Sequence, residues 1–272
     1  MTDSSTSALE RIAAALDRMA PPPAPSDDPL AHPAYIWRDG VLQAARHFAP
    51  LPLSMLQGLD RQREALLTNL RRLAEGHSAH DVLLWGARGT GKSALVKASV
   101  AAIQQAHPRR LALVSVDRLD SLPALFAQLE PVDRAFALFI DDLGFEDAGE
   151  ARTLRSLLDG GAEARPAHVR LLVTANRRHL LPRDMSEQDS AINPRDVVDD
   201  QLALADRFGL SLGFHAFDQD GYVAIVRAYV ERHDLPFDAQ EAINWATRRG
   251  SRSGRVAWQY IVDLAGRLGR AV

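Results

Sequence analysis

Residues Gly86-Ala87-Arg88-Gly89-Thr90-Gly91-Lys92-Ser93 satisfy the pattern G-x-x-x-x-G-K-[ST], in which every fixed position has a use in phosphate chemistry. The glycines let backbone N–H groups turn inward as an anion nest, and a helix starting there adds its positive N-terminal end. Lys92 is expected to reach the β- and γ-phosphates of a nucleotide, and the Ser93 hydroxyl to ligate Mg²⁺. From average residue usage, a chance match in 272 residues has a probability of about one in a hundred. A glycine-rich structural turn is the competing reading, and the strand before and helix after the motif set it aside.

Farther along, Phe139-Ile140-Asp141-Asp142 ends an apolar run with two carboxylates, where a buried parallel strand would emerge beside the loop. Standing alone, such a pair is most simply two solvated acids. After a phosphate loop it points to metal and water chemistry: Asp141 is expected to hold Mg²⁺ through coordinated water, and Asp142 to orient the water that attacks the γ-phosphate. Glu146, four residues on, is a second candidate for the base.

These residues need a scaffold that brings them to one place. Segment 60–73 has helical spacing, and the apolar run 82–85 leads into the glycines. Helices are expected over 94–105, 121–129 and 151–158, and strands over 111–116, 135–140, 169–173 and 210–214. Short apolar strands alternating with helices predict a parallel sheet covered on both faces, the α/β class. Beyond Phe217 the pattern turns helical: Tyr222, Ile225, Val226, Tyr229 and Val230 mark one helix, Asp238 with Glu241 reads as a capping box for a second, and Ser253 caps a third. The expected organisation is therefore an N-terminal helix and proline-rich linker over 1–50, an α/β core over 51–216 and a helical lid over 217–272. Leu9, Ile12, Leu16 and Met19 suggest the N-terminal helix, and Pro21-Pro22-Pro23-Ala24-Pro25 a stiff linker.

Composition bounds the partners. With 46% apolar residues and a formal net charge of −3, the chain has material for a sizeable core and no global basic field. The absence of cysteine excludes disulfides, thiolate catalysis and Cys-ligated zinc, and is compatible with a reduced cytoplasmic location. The histidines show no metal-ligand spacing, and no run of eighteen apolar residues suggests a membrane span.

On the segments Trp85 to Ser93, Asp141-Asp142-Leu143-Gly144-Phe145-Glu146, Thr174-Ala175-Asn176-Arg177-Arg178-His179-Leu180 and Asp206-Arg207-Phe208-Gly209-Leu210, the chain resembles the AAA+ superfamily over residues 51–268. Within it the resemblance is to a bacterial group of unassigned function, and more weakly to the replication initiator and helicase loaders. It implies that Asn176 is the sensor 1 residue that helps place the attacking water. It further implies that Arg207 is an arginine finger offered to a neighbouring subunit, and that Arg255 is the sensor 2 arginine of the lid, with Arg252 a rival. The competing reading of Arg207, less favoured, is a surface ion pair with Asp206 or Asp200. Gly58, Asp60 and Gln62 resemble the segment that packs near adenine. Asp142 departs from the family in standing one methylene short of the usual glutamate, which puts the rate of hydrolysis in doubt.

The expectation is a P-loop ATPase of the AAA+ class, with ATP and Mg²⁺ as cofactors, working as a homo-oligomer on a protein or nucleic-acid partner. The alternatives are an ATP-binding switch or scaffold with little hydrolysis, favoured by Asp142, and a P-loop kinase. A GTPase is disfavoured because no Asn-Lys-x-Asp segment occurs. The cluster Arg248, Arg249, Arg252 and Arg255 suggests a nucleic-acid patch, against which stands the lack of interleaved aromatic residues.

Overall fold

Tyr35, Ile36 and Trp37 are strong β-formers, and Asp39-Gly40 behind them is a two-residue turn signal. In the computed structural model, which describes residues 11, 25–143, 148–160, 165–176 and 206–272 (the side chains of 148–152 excepted), they form an antiparallel hairpin of β1 (Ala34–Arg38) and β2 (Val41–Ala44). Asp39 and Gly40 both have positive φ, +52° and +76°, as a type I′ turn requires. This corrects the expected boundary at residue 51, because β1 pairs in parallel with a strand of the main sheet and its Tyr35 and Trp37 are buried in the core. The outer edge of β2 is covered in turn. Asp27 N–H donates to Leu42 O (2.8 Å), Leu42 N–H to Ser26 Oγ (3.1 Å) and Ala44 N–H to the Asp27 carboxylate (2.6 Å). The expected N-terminal helix and most of the proline run lie outside the described residues.

The remaining elements follow the expected alternation: α1 (Asp60–Ala74), β3 (Val82–Gly86), α2 (Lys92–Ala106), β4 (Leu111–Val116), α3 (Leu122–Leu129), β5 (Ala135–Leu143), α4 (Ala148–Leu158), β6 (Val169–Asn176) and β7 (Leu210–Phe214). They build one sheet in the order β2-β1-β4-β5-β6-β3-β7, parallel throughout except for the β1–β2 hairpin. Alternate residues of each strand serve opposite faces. Val82, Leu84, Phe139 and Leu172 pack against Leu66, Leu70, Leu95 and Val100 of α1 and α2, while Leu83, Leu138, Leu171 and Val173 pack against Leu122, Leu125, Leu129 and Leu154 of α3 and α4. Burial on both faces is why these strands read as continuous apolar runs.

Three helices complete the chain: α5 (Gln219–Arg232), α6 (Ala239–Arg249) and α7 (Gly254–Arg267), closed around Tyr222, Val226, Ala242, Ala257, Tyr260 and Ile261. Asp238 caps α6 by accepting from Gln240 N–H (2.9 Å) and Glu241 N–H (3.1 Å). The capping box is only half formed, since the Glu241 carboxylate turns to the Tyr260 hydroxyl (3.1 Å) and Arg267 (2.7 Å). Ser253 caps α7 as expected, its Oγ accepting from Val256 N–H (3.3 Å).

Candidate functional site

The glycine-rich loop leaves β3 at Gly86, whose φ is +139° and where an added Cβ would stand 1.9 Å from Phe214 O. Only glycine permits β3 and β7 to pair there. Gly91, with φ of +95°, ends the loop and opens α2, so the helix's positive end faces the space above β3. Inside the loop the Lys92 ammonium is almost fully buried and donates to Gly86 O (3.0 Å) and Ala87 O (2.8 Å), while the Thr90 hydroxyl donates to Ala87 O (2.8 Å). Burial pushes the Lys92 pKa down; Asp142 and Asp141 pull it up, and Arg88 pushes it down again.

The two carboxylates arrive from β5. Ser93 Oγ donates to Asp141 Oδ1 (2.6 Å) and Thr174 Oγ1, from the neighbouring β6, donates to the same oxygen (2.7 Å). Between Ile140 and Leu143 the β5–β6 register shifts, and Asp142 there takes φ of +52°, a left-handed conformation uncommon for a residue other than glycine. Thr174 Oγ1 holds the turned backbone by accepting from Asp142 N–H (2.7 Å), Asn176 Nδ2 donates to Asp142 Oδ1, and the Arg88 guanidinium lies 3.6 Å from the same carboxylate. Asp141, Asp142, Asn176, Arg88, Lys92 and Ser93 are thus brought together at the carboxyl end of the sheet. Ser93 and Asp141 offer hard oxygen ligands, the set suited to Mg²⁺. Among the described residues no cluster of three or more His, Asp or Glu could by itself hold a metal ion, so such an ion would depend on phosphate and water for its other ligands.

Beside the loop is a cleft of about 430 Å³ between the sheet and the three C-terminal helices. Gly89 to Ser93 form one side, and Leu51, Met55, Leu56, Ile225, Tyr229 and Trp258 form an apolar wall. Gly58, Asp60 and Gln62, expected near this wall, do not line it. Gly58 faces Phe217, Asp60 pairs with Arg63, and Gln62 donates to Gly213 O (2.8 Å). Arg255 lines the cleft and Arg252 does not. The helices are tied directly to the loop: Gly254 N–H at the start of α7 donates to Gly89 O (2.9 Å).

Arg207 stands apart. Its Nε donates to Asp159 (2.7 Å) at the end of α4; of the two acids weighed above, Asp200 lies outside the described residues. Arg207 precedes β7, whose first residue pairs with Val82 and whose last pairs with Gly86, so a strand's length of roughly 15 Å separates it from its own phosphate loop. Glu146 also lies outside the described residues. Sequence reasoning missed Thr174, although its place two residues before Asn176 puts both on one face of β6.

Residues 30–268 match the model of the family described as "Protein of unknown function (DUF815)". No curated protein matches the chain. Among solved structures, the Aeropyrum pernix ORC1 protein in complex with DNA is 15% identical over 84% of this chain and 64% of its own, with a TM-score of 0.56. The RuvB Holliday junction branch migration motor of Thermotoga maritima is 15% identical over 80% and 73%, with a TM-score of 0.45. At these identities the likeness to ORC1 concerns the fold, which is that of the AAA+ P-loop ATPases. Matched by the family model over most of its length, the chain belongs to the family described as DUF815, a family of proteins of unknown function.

Proposed function

We propose that this protein binds ATP with Mg²⁺ in the cleft beside the glycine-rich loop and hydrolyses it at the interface between subunits of a homo-oligomer, driving a change in a protein or nucleic-acid partner. The observation that carries this reading is the Ser93–Asp141 contact of 2.6 Å next to a buried lysine whose ammonium donates, among the described residues, to carbonyl oxygens. Phosphate oxygens are charged acceptors, so Lys92 gains by exchanging the carbonyls of Gly86 and Ala87 for them. The apolar wall suits a nucleobase, and Arg255 at the cleft suits the phosphates. Mg²⁺, held through Ser93 and Asp141, would neutralise charge on the β- and γ-phosphates. Asp142 and Asn176 orient the attacking water, with the Asp142 carboxylate accepting its proton. Arg207 is too far from its own loop to take part in cis, and serves the neighbour's nucleotide. A cytoplasmic location follows from this reading.

One observation favours a second reading, a nucleotide switch with slow turnover: the short Asp142 carboxylate is already engaged by Asn176 and Arg88. Single-turnover hydrolysis separates the two. Lys92→Ala should abolish ATP binding by calorimetry, and an unchanged affinity removes the central claim. Arg207→Ala should bind ATP normally and lose about 10³-fold in turnover. Mixed with Lys92→Ala subunits it should recover part of the activity, because each variant keeps what the other lacks. If mixed oligomers form and stay inactive, the trans role of Arg207 is wrong.

A further inference from the structure

The C-terminal helices carry arginines of two kinds. Arg267 pairs with Glu241 (2.7 Å) and Asp263 (3.0 Å), and Arg270 with Asp234 (3.7 Å). Arg248, Arg249 and Arg252, all exposed, have no carboxylate partner among the described residues, and the chain from Ala242 to Val262 contains no acidic residue at all. Arg252 lines a second cleft, of about 500 Å³, that runs between the glycine-rich loop and α6. Arg88, Thr90, Thr247 and Ser251 line it too, and no carboxylate does. Arg88 reaches this cleft with most of its side chain in solvent, its tie to Asp142 being a 3.6 Å ion pair between exposed groups that costs little to exchange.

Arg248 and Arg249 continue the line outward along α6. Their guanidinium groups lie 5.8 and 5.1 Å from the centre of the Trp245 ring, which fixes the stems and leaves the N–H edges open. The aromatic partner that was not expected from sequence is therefore present, at helical spacing from both arginines. Four guanidinium groups and no lysine make bidentate, permanently charged receptors for phosphate oxygens. Their succession from cleft to helix end fits a polymer with an anion on every repeat better than one free phosphate. Guanidinium planes seated over a half-buried indole offer a base a stacking surface for which a run of carboxylates has no use.

We propose that Arg88, Arg252, Arg249 and Arg248 bind the phosphate backbone of a nucleic-acid strand. This names the partner left open above and is measured apart from nucleotide binding. The test is anisotropy of a fluorescein-labelled thymidine oligonucleotide of about twenty nucleotides, titrated with the full chain between about 50 and 200 mM salt without ATP. Four contacts predict a slope of log K against log salt of about −3, since each contributes roughly 0.7. Arg248→Ala with Arg249→Ala should reduce the slope by about 1.4, and Arg252→Ala by about 0.7, while Arg252→Lys retains it. A fluorescent ATP analogue titrated into the same preparations should bind all these variants as it binds the wild type, which separates a lost strand site from a lost nucleotide site. The proposal is overturned if the oligonucleotide does not bind at the lowest salt or if the slope is unchanged in the arginine-to-alanine variants. It is equally overturned if labelled polyglutamate of equal charge binds as tightly, which would assign the cleft to acidic peptide.

Discussion

Asp81 and Asp141 stand at opposite ends of the sheet and are held in opposite ways. Asp81, just before β3, is partly buried with Arg165, which grips both of its oxygens (2.9 and 2.7 Å), and Oδ1 also accepts from Leu171 N–H (2.8 Å). Nearby, Asn69 of α1 makes reciprocal 2.9 Å bonds with the backbone of His80. Asp141 is exposed and accepts from Ser93 and Thr174 through a single oxygen. At this amino end of the sheet Asp81 and Asn69 are engaged through both of their side-chain polar atoms and fasten helix and loop to sheet. At the carboxyl end a carboxylate keeps capacity for something further. Saturation serves stability, and incompleteness serves binding.

The sharpest way to break this comparison is at its saturated end. Asp81→Ala leaves the partly buried Arg165 guanidinium without its counter-charge, which should cost about 3 kcal/mol, the lower end of the range for a buried pair. The melting midpoint should fall by on the order of 10 °C, with ATP affinity of the folded fraction unchanged. An unaltered midpoint would show that the amino-end network is dispensable. A smaller effect on stability is expected at the open end: Asp141→Asn should shift it by about 1 kcal/mol or less, because the Asp141 carboxylate is exposed, but the Mg²⁺ dependence of nucleotide binding should weaken. Superimposable Mg²⁺ titrations of variant and wild type would contradict the role assigned to Asp141.

The smallest effect is expected where a polar group is buried and saturated by nothing. The Tyr222 hydroxyl has no hydrogen-bond partner among the described residues, and burial pushes its pKa up to about 12 from 10.0. Tyr222→Phe should therefore change stability at neutral pH by about 1 kcal/mol or less, in either direction. Its pH dependence is more telling. With the folded pKa above the unfolded one, the neutral phenol contributes fully below pH 10.0 and that contribution is lost as pH rises toward about 12. Denaturation titrations of the Phe variant should show a shallower alkaline loss; identical alkaline limbs would mean that Tyr222 is not the group responsible.

Legibility followed the range of the interactions. The phosphate loop could be read from eight adjacent residues because its chemistry is local, and the buried parallel strands could be read because burial on both faces leaves an unbroken apolar run. The β1–β2 hairpin escaped because a proline-rich approach suggested a linker, although Asp39-Gly40 announced its turn. Thr174 escaped for another reason: threonine is ordinary in strands, and only the adjacency of β5 and β6 turns its hydroxyl toward Asp141 and the Asp142 backbone. The apolar wall of the cleft draws Leu56, Tyr229 and Trp258 from segments far apart in the chain, so no single window contained it. Glu241 shows the limit of local motifs, since a tertiary offer from Tyr260 and Arg267 drew it away from its cap.

The three bonds that Ser26 and Asp27 make along β2 bear on how the protein stays dispersed. An edge strand with bare N–H and C=O groups is a template on which other chains can extend a sheet, and β2 ends this one with Val41 and Leu42 buried beneath it. Ser26 and Asp27 occupy the outward-facing amides of Leu42 and Ala44 and the Leu42 carbonyl with a short non-strand segment, and Asp27 adds a charge where a foreign strand would have to lie. A preparation trimmed to begin after Asp27 would keep every residue of the nucleotide site and yet acquire a sticky margin, so its failure in solution would be a matter of self-association and not of lost fold.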